Sequence, residues 1–278
     1  MVPKEKFMSQ QELEDVPDES RVARGPMTRH RRTSIVELVQ QHGSMRVDVL
    51  AERFGVSEVT IRSDLLLLEK EGSLVRDRGG AVTVSQLTHL EGLHKRASLS
   101  TAEKQRIGQA AARMVQPGDT VILDAGTTVI EMVPFLHGVA NLTVVTNGVN
   151  VVNELLKLPD VTIIQLGGWV NRESASAVGA IAEQTLSGLV VQKLFLGAQA
   201  FDAKFGLTDT TMEIAQVKRA MIKASRRCIL LSDSSKYGHA GLIKVVPLSE
   251  VDTLITDSEL PEDVRLELEQ ECDEVILV

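Results

Sequence analysis

Five short clusters in the second half of the chain join glycine to hydroxyl, amide or charged side chains. Asp124-Ala125-Gly126-Thr127-Thr128 comes first. Gly126 lets backbone approach a ligand closely. Thr127 and Thr128 place hydroxyls beside the N–H groups that open a helix, which suits a phosphate. Thr146-Asn147-Gly148, Gly167-Gly168, Asp202 with Gly206 and Thr208, and Asp233-Ser234-Ser235-Lys236 follow in order. Carboxylates and amides exchange hydrogen bonds with hydroxyls, and Lys236 can pair with phosphate or carboxylate. Glu213 points toward the same group, whereas Lys218 reads as an exposed helical lysine. Together these residue types suit a phosphorylated sugar. Each has a plainer reading on its own: a helix cap at Asp124, a turn at Gly167-Gly168, Asx and ST turns at Asp233-Ser234-Ser235. No Walker or GxGxxG pattern is present, so nucleotide binding is not indicated.

A second set lies nearer the start. Ser57, Glu58, Thr60, Arg62 and Ser63 fall within seven residues. Arginine pairs bidentately with guanine O6 and N7, and Thr and Ser contact bases or phosphates. Arg29, Arg31 and Arg32 precede this set and Arg76 and Arg78 follow it, placed to meet backbone phosphates. The plainer reading is a small helical subdomain with ordinary surface charge.

These residues need elements to hold them. Ile35, Leu38 and Val39 recur at helical spacing from Thr28, and Gly43 is placed to end that helix. Val47, Leu50, Ala51 and Phe54 repeat the spacing up to Gly55. Ser57 is a good N-cap for a third helix from Glu58 to about Glu71, with Ile61, Leu65 and Leu68 inward and Gly72 at its end. Ser73-Leu74-Val75 and Ala81 to Val84 read as a hairpin. Three helices and a hairpin predict a winged helix-turn-helix that presents the outer face of its third helix to a major groove. Ser100-Thr101-Ala102-Glu103 is a capping-box pattern for a helix to Val115. Beyond it, strand signals at 120–124, 142–146, 161–166, 193–197, 227–231, 253–255 and 275–278 alternate with helix signals at 127–136, 148–157, 180–189, 212–225 and 261–271. That alternation predicts an α/β layer with a mostly parallel sheet, whose ligands lie beyond the carboxyl ends of strands. The organisation expected is a disordered tail at 1–27, a winged helix-turn-helix at 28–84, a linker at 85–99, and an effector-binding and oligomerisation domain at 100–278.

Composition fits. The chain has 278 residues, 43% hydrophobic and 24% charged, as globular proteins do. It lacks an apolar run long enough to span a membrane, and its first 20 residues have no secretory apolar core. Cys228 and Cys272 form no metal-ligand pattern and read as reduced structural thiols of a cytoplasmic protein. The net charge of −8 is uneven: residues 21–80 carry eleven basic and eight acidic side chains. A local excess of three positive charges suits nucleic acid better than the whole chain does. No metal and no cofactor is expected.

Over residues 28–278 the sequence resembles the DeoR family of bacterial transcriptional regulators. The stretch Val47 to Leu65 is similar to that family's LAxxFxVSxxTIRRDL signature. Leu68-Glu69, Gly72, Arg76 and Gly79-Gly80-Ala81 continue it through the wing. Asp124 to Thr128, Val145-Thr146-Asn147, Gly167-Gly168 and Asp233 to Lys236 resemble the family's C-terminal motifs. The resemblance implies a C-terminal domain like ribose-5-phosphate isomerase that senses a phosphorylated sugar and releases a repressor from its operator. Ser63 stands where the family usually has a second arginine, and Asp77-Arg78 where a residue and histidine precede the paired glycines. The operator is therefore not carried over. Residues 146–151 and 173–176 look most like the subgroup regulating N-acetylgalactosamine and related amino-sugar use.

Two alternatives stand beside a DNA-binding repressor. One is a sugar-phosphate isomerase-like enzyme carrying a DNA-binding domain, with Asp124, Asp202, Glu213 and Lys236 as acid and base candidates. The other is an interaction protein that uses its winged helix on protein. The repressor reading implies double-stranded operator DNA and a small phosphorylated sugar as partners, no membrane, and a homo-oligomer, because one winged helix makes few base contacts.

Overall fold

A computed structural model describes residues 24–42, 44–70, 73–77, 79–82 and 93–278. The chain divides into two compact units, Met1–Val84 and Ser85–Val278.

In the first unit, helix Arg24–His42 leads into strand β1 (Ser44–Arg46), helix Val47–Phe54, helix Glu58–Lys70, and strands β2 (Val75–Asp77) and β3 (Gly80–Val82). The first helix begins four residues before the expected start at Thr28. Gly25-Pro26 lies in its first turn, where proline loses no helical hydrogen bond. Residues 1–23, Gly43, Gly72 and Arg78 lie outside the described residues. Ile35, Leu38, Val39, Val47, Leu50, Ile61, Leu65 and Leu68 form one core, as their spacing predicts. The turn between the second and third helices uses Gly55 at φ 61°, a left-handed C-cap. Strand β1 was not legible. It pairs antiparallel with β3, which also pairs with β2. Gly80 permits this, because a Cβ there would stand 2.3 Å from the Met45 carbonyl oxygen.

The second unit opens with helix Leu93–Ser98, inside the stretch expected to be linker. Residues 85–92 lie outside the described residues. Helix Thr101–Ala112 follows. Then come β4 (Thr120–Leu123), a 3₁₀ helix (Val129–Leu136), β5 (Thr143–Thr146), helix Val149–Leu155, β6 (Thr162–Gln165), β7 (Trp169–Asn171), β8 (Ser176–Val178), helix Ala180–Ser187 and β9 (Lys193–Gly197). The chain ends with β10 (Ala200–Asp202), β11 (Gly206–Asp209), helix Met212–Ala224, β12 (Cys228–Leu231), β13 (Ile243–Val246), β14 (Thr253–Thr256), helix Glu262–Leu268 and β15 (Glu274–Leu277). The segment Val129–Leu136 is 3₁₀ and not the α-helix expected from 127 to 136. Pro134 sits inside it and has no N–H to donate to an α-helical ladder.

The seven predicted strands are the seven strands of one sheet, in the order β15-β14-β12-β9-β4-β5-β6. All its pairings are parallel. Alternate residues enter different cores: Val121, Leu123, Phe195, Ile229 and Leu231 face one, Ile122, Leu194, Leu196 and Leu230 the other. Helices cover both faces, as a parallel sheet requires. The chain runs outward from β4 to β6 and returns to β9 on the other side of β4. This reversal of strand order makes the β4/β9 junction the crevice where such sheets take ligands. The hairpin β7–β8 and the antiparallel sheet β10-β11-β13 are additions that the sequence did not reveal. Cys228 and Cys272 are both buried and free. Burial, foremost, pushes their thiols up to about 12 and about 11.

Helix Thr101–Ala112 crosses the 3₁₀ helix with no room between them. A Cβ on Gly108 would stand 2.6 Å from the Glu131 carbonyl carbon. Gly108→Ala therefore sets a helix-propensity gain of about 1 kcal/mol against overpacking of about 1–3 kcal/mol. The expected outcome is a net loss of stability in urea unfolding.

Candidate functional site

Helix Glu58–Lys70 exposes one face and buries the other. The Ser57 hydroxyl accepts from the Thr60 N–H at 3.3 Å and bonds the Thr60 hydroxyl at 2.9 Å, so Ser57 does cap the helix. Arg62 is exposed and pairs with Glu58 one turn back, at 3.1 Å. Ser63 is exposed beside it. Val59, 76% exposed, shares this face and was not singled out from sequence. An apolar side chain there can meet a thymine methyl. Asp64 lies on the inner face, 2% exposed, and accepts from Nε of both Arg31 and Arg32 at 2.7 Å. Those two arginines anchor the first helix to the third, and each guanidinium retains further donors. Arg76 is exposed on β2 and its backbone N–H donates to Glu69 at 3.0 Å. The side chain of Arg29 and all of Arg78 lie outside the described residues.

In the second unit, a cleft opens at the β4/β9 junction. Asp124, Gly126, Thr127, Thr128, Asp233 and Lys236, all expected from sequence, line it. Among the described residues, no acceptor takes the N–H groups of Gly126, Thr127 or Thr128. Thr127 and Thr128 are each 7% exposed. The loop carrying Asp233 and Lys236 is fixed by Asp257, wholly buried, which accepts from the Ser234 N–H at 2.7 Å.

Six other candidates are not brought to this cleft. The Thr146 hydroxyl accepts from the Gly148 N–H at 3.0 Å. The Asn147 carbonyl accepts from Ala177 at 2.7 Å, which ties β5 to β8. Gly168, at φ 130°, passes so near β8 that a Cβ would lie 2.4 Å from the Val178 oxygen. Gly167 sits beside it, against Ile181. Asp202 accepts from the N–H groups of Lys204 and Phe205 and closes the β10–β11 turn. Glu213 is exposed in the first turn of its helix.

The cleft also holds groups that were not expected. Lys218 is buried, and not an exposed helical lysine. Its Nζ donates to Asp209 at 2.8 Å and to the Gly197 carbonyl at 2.9 Å, and lies 3.7 Å from Asp124. Burial alone lowers a lysine pKa; here Asp209 and Asp124 outweigh it and hold Lys218 above the ordinary value. Lys104 is 3% exposed, and its Nζ donates to the carbonyls of Arg96 and Leu99 at 2.5 and 2.7 Å. Burial lowers its pKa more than Asp233 raises it. The expected cap at Ser100 does not form. Ser100 is left-handed, at φ 49°, and its side chain caps nothing. Arg96 completes the basic lining, and its Nη2 donates to the Glu173 carbonyl at 3.1 Å. The cleft thus has four basic and three acidic side chains, around unclaimed amides. Both lysines were findable. Lys104 precedes Ile107 and Ala111 on one stripe, and Lys218 lies between Ile214 and Met221, so helical spacing places each on a buried face.

Among the described residues, no cluster of His, Cys, Asp or Glu could hold a metal ion, and no helix is long and apolar enough to cross a membrane.

The fold and sites define a two-part protein: a winged helix-turn-helix joined to an α/β unit with an anion-suited cleft at its topological switch point. Residues 31–87 match the DeoR-like helix-turn-helix domain and residues 99–258 the DeoR C terminal sensor domain. A putative aga operon transcriptional repressor of Escherichia coli O157:H7 is 37% identical, over 90% of this chain and 94% of its own. The glycerol-3-phosphate regulon repressor of Escherichia coli K12 is 32% identical, over 84% and 92%. The chain belongs to the DeoR family of transcriptional regulators. It is therefore a DNA-binding regulator and not an isomerase. A solved D-ribose-5-phosphate isomerase in complex with phospho-erythronic acid overlaps 48% of this chain and 52% of its own, with 13% identity and a TM-score of 0.36. So slight a likeness decides nothing about activity.

Lys218→Met leaves two buried carboxylates without their cation. It should cost about 3–5 kcal/mol, the usual loss when one partner of a buried pair is removed. Denaturant unfolding at stepped pH checks this. The loss should be greatest at neutral pH and shrink as the carboxylates protonate in acid. For Lys218 itself the raised folded-state pKa means its stabilisation is complete at neutral pH and lost only as pH rises past the lysine range.

Proposed function

We propose that this regulator is a repressor of a sugar or amino-sugar catabolic operon, released from its operator by a small phosphorylated sugar. The observation that carries the effector is the cleft. Unclaimed N–H groups at Gly126, Thr127 and Thr128 suit phosphate, and buried Asp and Lys side chains suit the hydroxyls of a sugar. Glycerol-3-phosphate in the name of one relative agrees with a small phosphorylated effector. In this scheme residues 28–84 hold DNA: Arg62, Thr60 and Ser63 read bases, and Arg29, Arg31, Arg32, Arg76 and Arg78 meet phosphates. Residues 100–278 hold the sugar and the contacts between copies. The protein works in the cytoplasm as a homo-oligomer, one winged unit to each operator half-site.

Two measurements check this. In a gel shift on the cognate operator, Arg62→Ala should lose about 1–3 kcal/mol of specific binding and little non-specific binding. Undiminished specificity removes Arg62 as a base reader. In a thermal-shift screen of the full chain, one phosphorylated sugar should raise the midpoint while its unphosphorylated parent does not. At 100 times its dissociation constant the stabilisation is about 2.7 kcal/mol, and the same compound should release the operator. Silence across pentose, hexose and amino-sugar phosphates overturns the effector reading.

A further inference from the structure

We propose that Lys104 couples the cleft to the segment of chain that leads to the DNA-binding unit, acting as a clip that a bound anion loosens. The inference rests on the reading of the cleft as an anion site. Helix Leu93–Ser98 is the first described element after the wing, and the chain reaches it through residues 83–92. Two carbonyls at its C-terminal end, Arg96 and Leu99, both accept from the Lys104 ammonium. The Lys104 backbone N–H donates to the Ser100 carbonyl at 3.0 Å. The Lys104 side chain thus grips the turn 96–100, and its backbone N–H makes the first bond of the helix that follows.

That turn is strained. Ser100 is left-handed, a conformation that residues with a Cβ rarely adopt unless their surroundings impose it. Here the Lys104 ammonium, together with the Thr101 hydroxyl that donates to the Ala97 carbonyl at 3.3 Å, holds the chain there. The same ammonium lines the cleft with Arg96, Asp233 and Lys236. It carries three protons, and two are on carbonyls. Arg96 ties the helix to the cleft a second time, through the Glu173 carbonyl in the β7–β8 turn, next to Ser174 in the cleft wall.

An ammonium bonds a phosphate oxygen more strongly than a neutral carbonyl. A phosphate in the cleft takes the third Lys104 proton and pulls Nζ away from the Arg96 and Leu99 carbonyls. Drawing Nζ toward the anion weakens its hold on the two carbonyls and lets Ser100 leave the left-handed region. Helix Leu93–Ser98 then keeps its tie through Arg96 but loses the one through Lys104. This gives the effector a differential contact between two arrangements, as any allosteric coupling needs.

Two variants push the clip in opposite directions. Ser100→Gly relieves the left-handed turn and keeps Lys104, so it should tighten the clip; Ser100 does not line the cleft. Lys104→Met removes the donor. Affinity of the full chain for a duplex selected from a random pool by the wild type is the first readout. The two variants should shift it in opposite directions, each by at least about twofold, the low end for coupling positions. Unchanged affinity in both overturns the proposal. If Lys104→Met does not fold, Ser100→Gly alone decides. The second readout is amide hydrogen exchange over residues 93–104 with inorganic phosphate or chloride at equal ionic strength. Phosphate should speed exchange in the wild type and less so in Ser100→Gly. If phosphate raises the thermal midpoint but leaves this exchange unchanged, Lys104 is only an anion ligand and the proposal fails. If phosphate does not raise the midpoint, the anion reading of the cleft is what fails, and the DNA affinities still judge the coupling.

Discussion

The sensor unit depends on a cation buried where water cannot solvate it. Lys218 holds Asp209 and the Gly197 carbonyl directly and lies within ion-pair reach of Asp124. Through those partners it joins the end of β4, the end of β9, strand β11 and its own helix. The strand order reverses between β4 and β9, so nothing in the ladder alone fixes the loops that leave them. A desolvated charge does, because any loop that moves away leaves an ion unpaired in a medium that penalises it severely. The cleft is the space those pinned loops leave.

The first unit solves a similar problem with the signs exchanged. Asp64 is a buried anion on the inner face of the third helix, between two arginines of the first. The three helices already share an apolar core, but hydrophobic contact does not fix the angle between them closely. A carboxylate receiving two directed N–H bonds does. The outer face of that helix, with Arg62, Ser63 and Val59, is thus aimed by a residue one position along the chain from Ser63.

The sheet was legible because seven short runs rich in Val, Ile, Leu and Thr stand out between helical stretches; the inner five are buried, and the edge strands β6 and β15 keep the same residue types while partly exposed. The additions were not. Strands β1, β7, β8 and β10 have three residues each, and Trp169 on β7 is 70% exposed, so no burial pattern marks them. Half of the candidate cleft was legible as well, because glycine, threonine and aspartate at strand ends are distinctive by type. Asp209 was not, and Lys104 and Lys218 were marked only by the apolar stripe each falls on, because a lysine or aspartate in a helix or strand is ordinarily a surface residue. Thr146, Asn147 and Gly168 have structural work outside the cleft: Thr146 holds the turn at Gly148, Asn147 ties the end of β5 to β8, and Gly168 lets the chain entering β7 pass close to β8, tasks that need the same small and polar residues that a ligand does.

The division of the chain also sets an order of events during synthesis. The three helices and three strands that grip DNA end at Val82 and close a core of their own. The cleft draws on residues as late as Lys236, and on Asp257 to hold their loop. Its sheet pairs β9 with β4, strands more than sixty residues apart. A chain leaving the ribosome therefore completes its DNA grip long before its sensor exists. Translation that stops between the two yields a folded winged unit with no cleft behind it.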